Sequence, residues 1–190
     1  MAVDRTRMLR GALAGAGAAV VWAAQQPLDK RVFGCAYDDV ELLGRVVAPD
    51  GGASEWYPVG LALHVQNGAV FGALYAVVAP GLPLPAALRG PAAGLLEHLI
   101  GWPFVRLTDR WHPARAVLPG LTGNRRAFWQ AAWRHALFGF ALGELERRLN
   151  PPAPPASETA ASDEEYVEAY VSSNGRGDIA RAAVGRDDAD

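Results

Sequence analysis

One long stretch of the chain carries no charged side chain. From Trp56 to Leu88 the sequence WYPVGLALHVQNGAVFGALYAVVAPGLPLPAAL contains no Asp, Glu, Lys or Arg. A membrane-spanning helix needs roughly 20 predominantly apolar residues, so this stretch has room for one span and a turn. Pro80, Pro83 and Pro85 predict the turn, because proline interrupts a helix. We therefore expect a membrane protein, although the mean hydropathy of +0.04 is ordinary.

Further segments have the length of a membrane-spanning helix. Residues 11–28 are uncharged and follow three arginines. A secretory signal with a cleavage site near Ala23 is the alternative for this segment. A retained helix is favoured, because the run is rich in Gly and Ala and stays uncharged beyond Ala23. The four predicted spans are residues 11–28, 57–78, 88–107 and 126–150.

A repeat supports the two less apolar spans. His64-xxx-Gly68-xxx-Gly72 recurs as His135-xxx-Gly139-xxx-Gly143, and GALAG at 11–15 recurs as GPAAG at 90–94. The order is the same in both halves, which is typical of a duplicated helical hairpin. The fold class is therefore predicted as an all-α membrane protein with four transmembrane helices in two similar hairpins, plus a flexible C-terminal tail.

Small residues within the repeat predict close helix packing. A residue that recurs every four positions lies on one helix face, and glycine lets a neighbouring backbone approach. The predicted helix-packing positions are Gly60, Gly68, Gly72, Gly139 and Gly143.

The chain changes character after residue 149. Residues 1–149 are predicted to form the transmembrane bundle, and residues 150–190 a Pro-rich linker and an acidic, mostly disordered tail. The alternative is that the tail binds a membrane or cytosolic protein partner. A capping-box pattern at Ser162-x-x-Glu165, followed by Tyr166 and Tyr170, supports that alternative.

Polar side chains recur at one depth of the predicted bundle. With a rise of about 1.5 Å per residue, they lie on the order of 10–15 Å below one membrane face. Glu97 is expected to pair with Arg134, because charges inside a membrane are found paired. The predicted polar intramembrane layer is His64, Asn67, Glu97, His98, Arg134 and His135.

Three functions compete for this layer. The first is structural, in a non-enzymatic scaffold or interaction subunit. The second is a small transporter or proton-handling protein, because ionisable residues inside a membrane are candidates for function. The third is a haem- or metal-binding membrane protein that uses the imidazoles as ligands. No HExxH, ExxH or CxxCH motif supports the third function, so no cofactor and no metal ligand are predicted.

Catalytic signatures are missing from the sequence. It contains no Walker loop, no GxSxG elbow and no GxGxxG after a strand, so no catalytic residue is predicted and an enzyme is disfavoured. Asp109 and His112 are the one alternative catalytic pair. Cys35 is the only cysteine, which excludes an internal disulfide.

The net charge and the expected location limit the classes of binding partner. The net charge is −2 and no Lys/Arg stripe is present, so nucleic acid is not an expected partner. The expected partner is the lipid bilayer, and the expected location is the cell membrane as a multi-pass protein. Lys and Arg flank both ends of the spans, so they leave the orientation open. Cytoplasmic termini are favoured, because the acidic tail carries no secretion cue.

Several motifs together resemble those of a known set of proteins. These are AAQQPLDKRVFG, YDDVELLG, VGLALHVQNGAVFGALYA, LLEHLIGWPF, HPAR, GNRRAFWQAAWRHALFGFALGELERRLN and YVSSNG. Residues 8–150 resemble a family of small uncharacterised bacterial four-helix integral membrane proteins. The resemblance implies a membrane location and four helices, and it implies no catalytic residue.

Overall fold

Helices account for the regular structure of the chain over residues 4–151, which are the residues that the computed structural model describes. The predictions for the linker and tail from residue 152 onward lie outside this range. No strand occurs within it, so the all-α prediction is confirmed. The α-helices are α1 (Arg5–Phe33), α2 (Asp39–Val47), α3 (Ala53–Val78), α4 (Ala86–Gly101), α5 (Val105–Trp111) and α6 (Arg125–Leu149).

Short polar residues set where the helices begin. The Asp4 carboxylate accepts a hydrogen bond from the Arg7 amide at 3.1 Å, and Asn124 caps α6 in the same way. Asp38 accepts from the Glu41 amide at 3.0 Å at the start of α2, and the Asp38-x-x-Glu41 spacing is typical of a helix start. Each cap satisfies an amide that the first helical turn leaves free. α1 ends at Gly34, whose φ of 57° is a left-handed conformation that favours glycine.

The four long helices lie side by side in the order α3, α1, α6, α4. Neighbours run antiparallel, since Arg7 near the start of α1 reaches Glu146 near the end of α6. The short helix α2 follows α1 and packs on α3. α3 and α4 therefore stand at the two ends of the row.

Glycine contacts join both outer pairs of helices. A Cβ added to Gly15 of α1 would lie 2.0 Å from the Gly68 carbonyl oxygen of α3. In the other pair, a Cβ added to Gly90 of α4 would lie 2.1 Å from the Gly139 carbonyl oxygen of α6. Only glycine fits at such distances, so the backbones themselves form both interfaces.

The remaining predicted packing glycines lie at the same kind of interface. Gly72 approaches Gly11 of α1, and Gly143 approaches Gly90 of α4. Gly60 packs on α2 instead, because a Cβ there would lie 2.0 Å from the Val40 carbonyl oxygen.

The third predicted span differs from the structure. Residues 88–107 do not form one continuous α-helix: α4 ends at Gly101, a 3-10 turn covers Trp102–Phe104, and α5 begins at Val105. Pro103 in the turn explains the break, because it lacks an amide hydrogen and clashes with the preceding helical turn.

Length and composition single out one membrane-spanning candidate. Within residues 4–151, the helical stretch Ala53–Gly81 is long and apolar enough to cross a membrane. Among the described helices, α1, α4 and α6 are not candidates by the same measure of length and composition.

Candidate functional site

A buried arginine holds together three parts of the chain. The Arg134 side chain on α6 is 0% exposed, and its Nε and Nη2 donate to the two oxygens of Asp29 on α1 at 2.6 and 2.5 Å. Its Nη1 donates to Asp39 of α2 at 2.6 Å, and Nη2 also donates to the Tyr37 carbonyl oxygen at 2.9 Å. The guanidinium thus binds Asp29 through both of its oxygens, in the geometry that arginine and carboxylates favour.

Further side chains complete this network. Gln130 donates to Asp29 at 2.7 Å, and Trp22 donates to Asp39 at 3.2 Å. The Tyr37 hydroxyl donates to the other Asp39 oxygen. We call Asp29, Tyr37, Asp39, Gln130 and Arg134 the arginine network. It joins α1, α2 and α6 at the end of the bundle that carries the long loops.

The network shifts the proton affinity of its members outside the long helices. Burial opposes ionisation of Asp39, but the Arg134 guanidinium and the Tyr37 hydroxyl outweigh it and hold the pKa of Asp39 below its usual value. Burial, followed by the charge of Asp39, raises the pKa of Tyr37 well above its usual value. Asp39 is therefore ionised and Tyr37 protonated at neutral pH.

The predicted Glu97–Arg134 pair is wrong. Arg134 binds Asp29 and Asp39, and Glu97 instead contacts His135, with 2.5 Å between Glu97 Oε2 and His135 Nε2. Neighbouring residues on a helix project about 100° apart, so Arg134 faces α1 while His135 faces α4.

The His135–Glu97 contact holds a proton between two groups. His135 Nδ1 lies 2.7 Å from the Ala131 carbonyl oxygen, which can only accept a hydrogen bond, so Nδ1 carries a proton. Nε2 faces a carboxylate at 2.5 Å, which requires a second proton on either Nε2 or Glu97. The pair is therefore an imidazolium with a carboxylate or a neutral imidazole with a carboxylic acid.

A cavity of about 300 Å³ lies beside this pair. α3 lines one side of it and α4 the other, with side chains of α1, α2 and α6 between them. We call this cavity the histidine cleft. The predicted layer residues that line it are His64, Asn67, Glu97, His98 and His135.

The rings of the histidine cleft form a connected row. Trp22 of α1 stands between His64 and His135, with ring centroids 5.1 and 4.6 Å apart. His98 follows His135 at 5.0 Å. His64 and His98 are buried, and the Nε2 atom of each has no hydrogen-bond partner among residues 4–151. A buried polar atom without a partner is uncommon in a folded protein.

Two members of the predicted layer are exposed. Asn67 is exposed on α3, and the Glu97 side chain on α4 is 49% exposed. Because both line the cavity, they mark its open side. The predicted layer therefore divides into a set around the histidine cleft and Arg134, which belongs to the arginine network.

Comparison with known proteins identifies no similar protein. No family model, curated protein or solved structure matches this chain. The resemblance to small bacterial membrane proteins stays a prediction, and the site has to be interpreted from its own geometry.

The alternative catalytic pair does not form. The Asp109 carboxylate accepts hydrogen bonds from the Leu121 and Thr122 amides, the shortest at 2.7 Å. His112 Nδ1 accepts from the Ala114 amide, so Nε2 carries the proton and donates to the Leu42 carbonyl oxygen at 3.0 Å. Both side chains therefore fix the loop between α5 and α6.

The hydrogen bonds to Asp109 also shift its pKa. Partial burial would raise it, but the hydrogen bonds from Thr122 and Leu121 outweigh that effect and lower the pKa of Asp109. Its role in the structure is that of an ionised loop anchor.

Metal ligands are not grouped in the described part of the chain. Among residues 4–151, no three His, Cys, Asp or Glu side chains are grouped so that they could hold a metal ion.

The predicted polar layer does not include the partners of Arg134, which are Asp29, Tyr37 and Asp39. One signal could have found them: a buried arginine needs a carboxylate, and QQPLDK and YDD supply carboxylates at the same end of the bundle.

Proposed function

We propose that this chain is a multi-pass membrane protein in which α1, α3, α4 and α6 span the bilayer. The supporting observation is the distribution of polarity across the bundle. The side chains that face outward are apolar, as in Val20, Val70, Leu96 and Phe140, which are 52%, 57%, 58% and 61% exposed. Two charged side chains of α1 and α6 lie inside, with Asp29 only 2% and Arg134 0% exposed.

Such a distribution suits lipid better than water. Soluble domains seldom bury an arginine while they expose large aliphatic side chains along several helices. In a bilayer, outward apolar side chains meet hydrocarbon, and internal charges are paired within the protein. Much of the polarity of α1 and α6 is therefore internal, which explains why hydropathy averaged along the sequence underrates them.

Helix lengths agree with this arrangement. α3 has 26 residues and α6 has 25. At about 1.5 Å per residue each exceeds the roughly 30 Å of a hydrocarbon core. α4 alone has 16 residues, or about 24 Å, so its span requires the following turn at Trp102–Phe104.

The histidine cleft supports an interaction function for the bundle. We infer a non-enzymatic interaction subunit: the arginine network holds the scaffold, and the histidine cleft is the interaction site. The cleft contains side chains with free hydrogen-bonding capacity, whereas Arg134 is committed to Asp29, Asp39 and the Tyr37 carbonyl.

Proton handling is a second candidate function, and one contact favours it. Because His135 Nδ1 is committed to the Ala131 carbonyl, the proton near Glu97 has two alternative positions. His98 lies next to His135 and extends the row. Proton flux into proteoliposomes that is lost in Glu97→Gln, with the fold intact, would support this function over simple binding.

Topology labelling tests the membrane proposal. In a Cys35→Ser background, single cysteines at Asp50 and Arg115 report one end of the bundle, and a cysteine at Arg148 reports the other. With cytoplasmic termini, an impermeant maleimide labels the first two in intact spheroplasts and the third only after lysis. Labelling of all three in intact spheroplasts, or recovery of the protein in the soluble fraction, contradicts the proposal. The reverse pattern retains four spans and inverts the orientation.

A further inference from the structure

We propose that the histidine cleft binds a small amphipathic cation, namely an amine or a quaternary ammonium group on a compact apolar body. The inference rests on the proposed interaction function and names its ligand class.

The charges that line the cleft favour a cation. Its lining includes the carboxylates Asp39 and Glu97 and contains no Lys or Arg. Arg134 is close to Asp39 but is fully covered, with its donors directed at the arginine network. His135 also lines the cleft, but the Ala131 carbonyl oxygen and Glu97 engage both of its ring nitrogens, so it offers an anion no free donor. An anion in the cleft would therefore meet Asp39 without a free cationic donor, at a depth where charges are poorly screened.

Glu97 has one carboxylate oxygen that is free to accept a hydrogen bond. Arg134, Trp22 and Tyr37 already donate to Asp39. Among the described residues, Glu97 is contacted by His135 through Oε2 only, and the Glu97 side chain is 49% exposed at the open side. Oε1 is therefore free to accept a hydrogen bond or to pair with a positive charge.

Aromatic rings form much of the apolar lining, beside aliphatic side chains such as Leu42 and Val105. Trp22, Phe71, Trp102 and Phe138 line the cavity, together with Tyr37. Aromatic rings attract cations through their π faces and also accept an apolar ligand body. A carboxylate beside several aromatic rings suits an organic cation better than a strongly hydrated inorganic ion.

Two buried imidazoles supply a further recognition element. His64 is 7% and His98 3% exposed, both line the cleft, and each has an Nε2 without a partner among residues 4–151. In the tautomer with the proton on Nδ1, Nε2 accepts a hydrogen bond from an ammonium N–H. Both atoms are covered, so a primary amine reaches them after a rotation of the ring.

Cavity size limits the ligand. A volume of about 300 Å³ equals on the order of ten water molecules at roughly 30 Å³ each. A phenylalkyl amine fits such a space, whereas a whole phospholipid does not.

Calorimetry with three matched compounds tests the ligand class. Purified full-length protein in detergent is titrated with 2-phenylethylamine, the neutral 2-phenylethanol and the anionic 3-phenylpropanoate. We expect saturable binding of the amine, at least tenfold tighter than the alcohol, and no saturable binding of the carboxylate. Equal affinity for amine and alcohol, or preference for the carboxylate, overturns the proposal.

Variants locate the binding site. Glu97→Gln is expected to weaken amine binding at least tenfold, whereas Glu144→Gln, at a carboxylate outside the cleft lining, leaves it unchanged. Gly101→Leu gives an independent check, because a Cβ there meets nothing closer than Glu97 Oε1 at 4.0 Å and the side chain then fills the cleft. Unchanged amine affinity in a folded Glu97→Gln or Gly101→Leu protein overturns the assignment.

A comparison of a primary amine with a quaternary ammonium compound tests whether the imidazoles accept a hydrogen bond from the ligand. His64→Phe and His98→Phe are expected to weaken 2-phenylethylamine more than benzyltrimethylammonium, which has no N–H to donate. Equal weakening of both compounds would contradict the hydrogen-bonding role. Failure of these binding assays leaves the topology labelling unaffected, so the ligand class and the membrane proposal fail separately.

Discussion

At the scale of single residues, Arg134 is the side chain on which the bundle depends most. It is fully buried, and its carboxylate partners come from α1 and α2, so it joins elements that are distant in the sequence. Desolvation of the guanidinium is offset only while both carboxylates are present.

Removal of Arg134 is therefore expected to destabilise the bundle strongly. Arg134→Leu leaves Asp29 and Asp39 buried without their cation, and the loss of one partner of a buried pair costs about 3–5 kcal/mol. We expect a lower thermal midpoint in detergent, or loss of monodisperse protein. Arg148→Leu is the control, because Arg148 is exposed and pairs with Glu144 at the surface. Equal midpoints for the two variants would contradict the role of the arginine network.

Ionisation of Asp39 makes the stabilising effect of the arginine network depend on pH. Its pKa is lower in the fold than its usual value, so its contribution to stability is complete above about pH 4 and is lost as the pH falls through the lowered value. Asp39→Asn is expected to lower the thermal midpoint at neutral pH and to flatten its decline in acid. The midpoint is measured from pH 7 to pH 2, with exposed Asp50→Asn as the control. An acid decline as steep in Asp39→Asn as in the original protein contradicts the assignment.

At the scale of helices, the repeated glycines explain why the bundle assembles with few large side chains in its core. The largest buried cluster relies on Ala14, Ala18 and Ala19 around Trp22 and Phe138. Both outer helix pairs meet through glycine backbones, so the energy of packing comes from close backbone approach.

Two glycines of α1 provide a matched test of this packing. A Cβ at Gly15 would meet the Gly68 carbonyl oxygen at 2.0 Å, whereas one at Gly17 would meet only the end of the Leu145 side chain at 3.2 Å. Gly15→Ala is expected to separate α1 from α3 and lower the thermal midpoint sharply. Gly17→Ala is expected to raise it slightly, because alanine favours a helix by up to about 1 kcal/mol over glycine. A comparable loss in both variants means that backbone approach does not determine the interface.

The sequence predicts the positions of the helices more accurately than the side-chain contacts between them. The Asp38-x-x-Glu41 pattern predicts a helix start through local chemistry, and α2 begins there. Depth along each span predicts which side chains share a level, and His64, Glu97, His98 and His135 do line one cavity. Depth does not give the direction in which a side chain projects, so it could not separate Arg134 from His135. That distinction requires the row order of the helices, which is a tertiary property.

At the scale of the whole molecule, the bundle places apolar side chains on its outer faces and the charges of Asp29 and Arg134 inside. The proposed placement in lipid would make exposed Val70 and Phe140, together with buried Asp29 and Arg134, a favourable arrangement.

Spin labels on the outer faces test whether the four long helices lie in lipid. In a Cys35→Ser background, nitroxides are attached to cysteines at Val20, Val70, Leu96 and Phe140, one outward position on each long helix, in protein reconstituted into liposomes. Collisions with oxygen, which partitions into lipid, are compared with collisions with a water-soluble nickel chelate. Loop labels at Asp50 and Arg115 serve as the aqueous reference. If the helices lie in lipid, we expect all four helix labels to collide more with oxygen and both loop labels to collide more with the nickel chelate. Helix labels that favour the nickel chelate as strongly as the loop labels would contradict it.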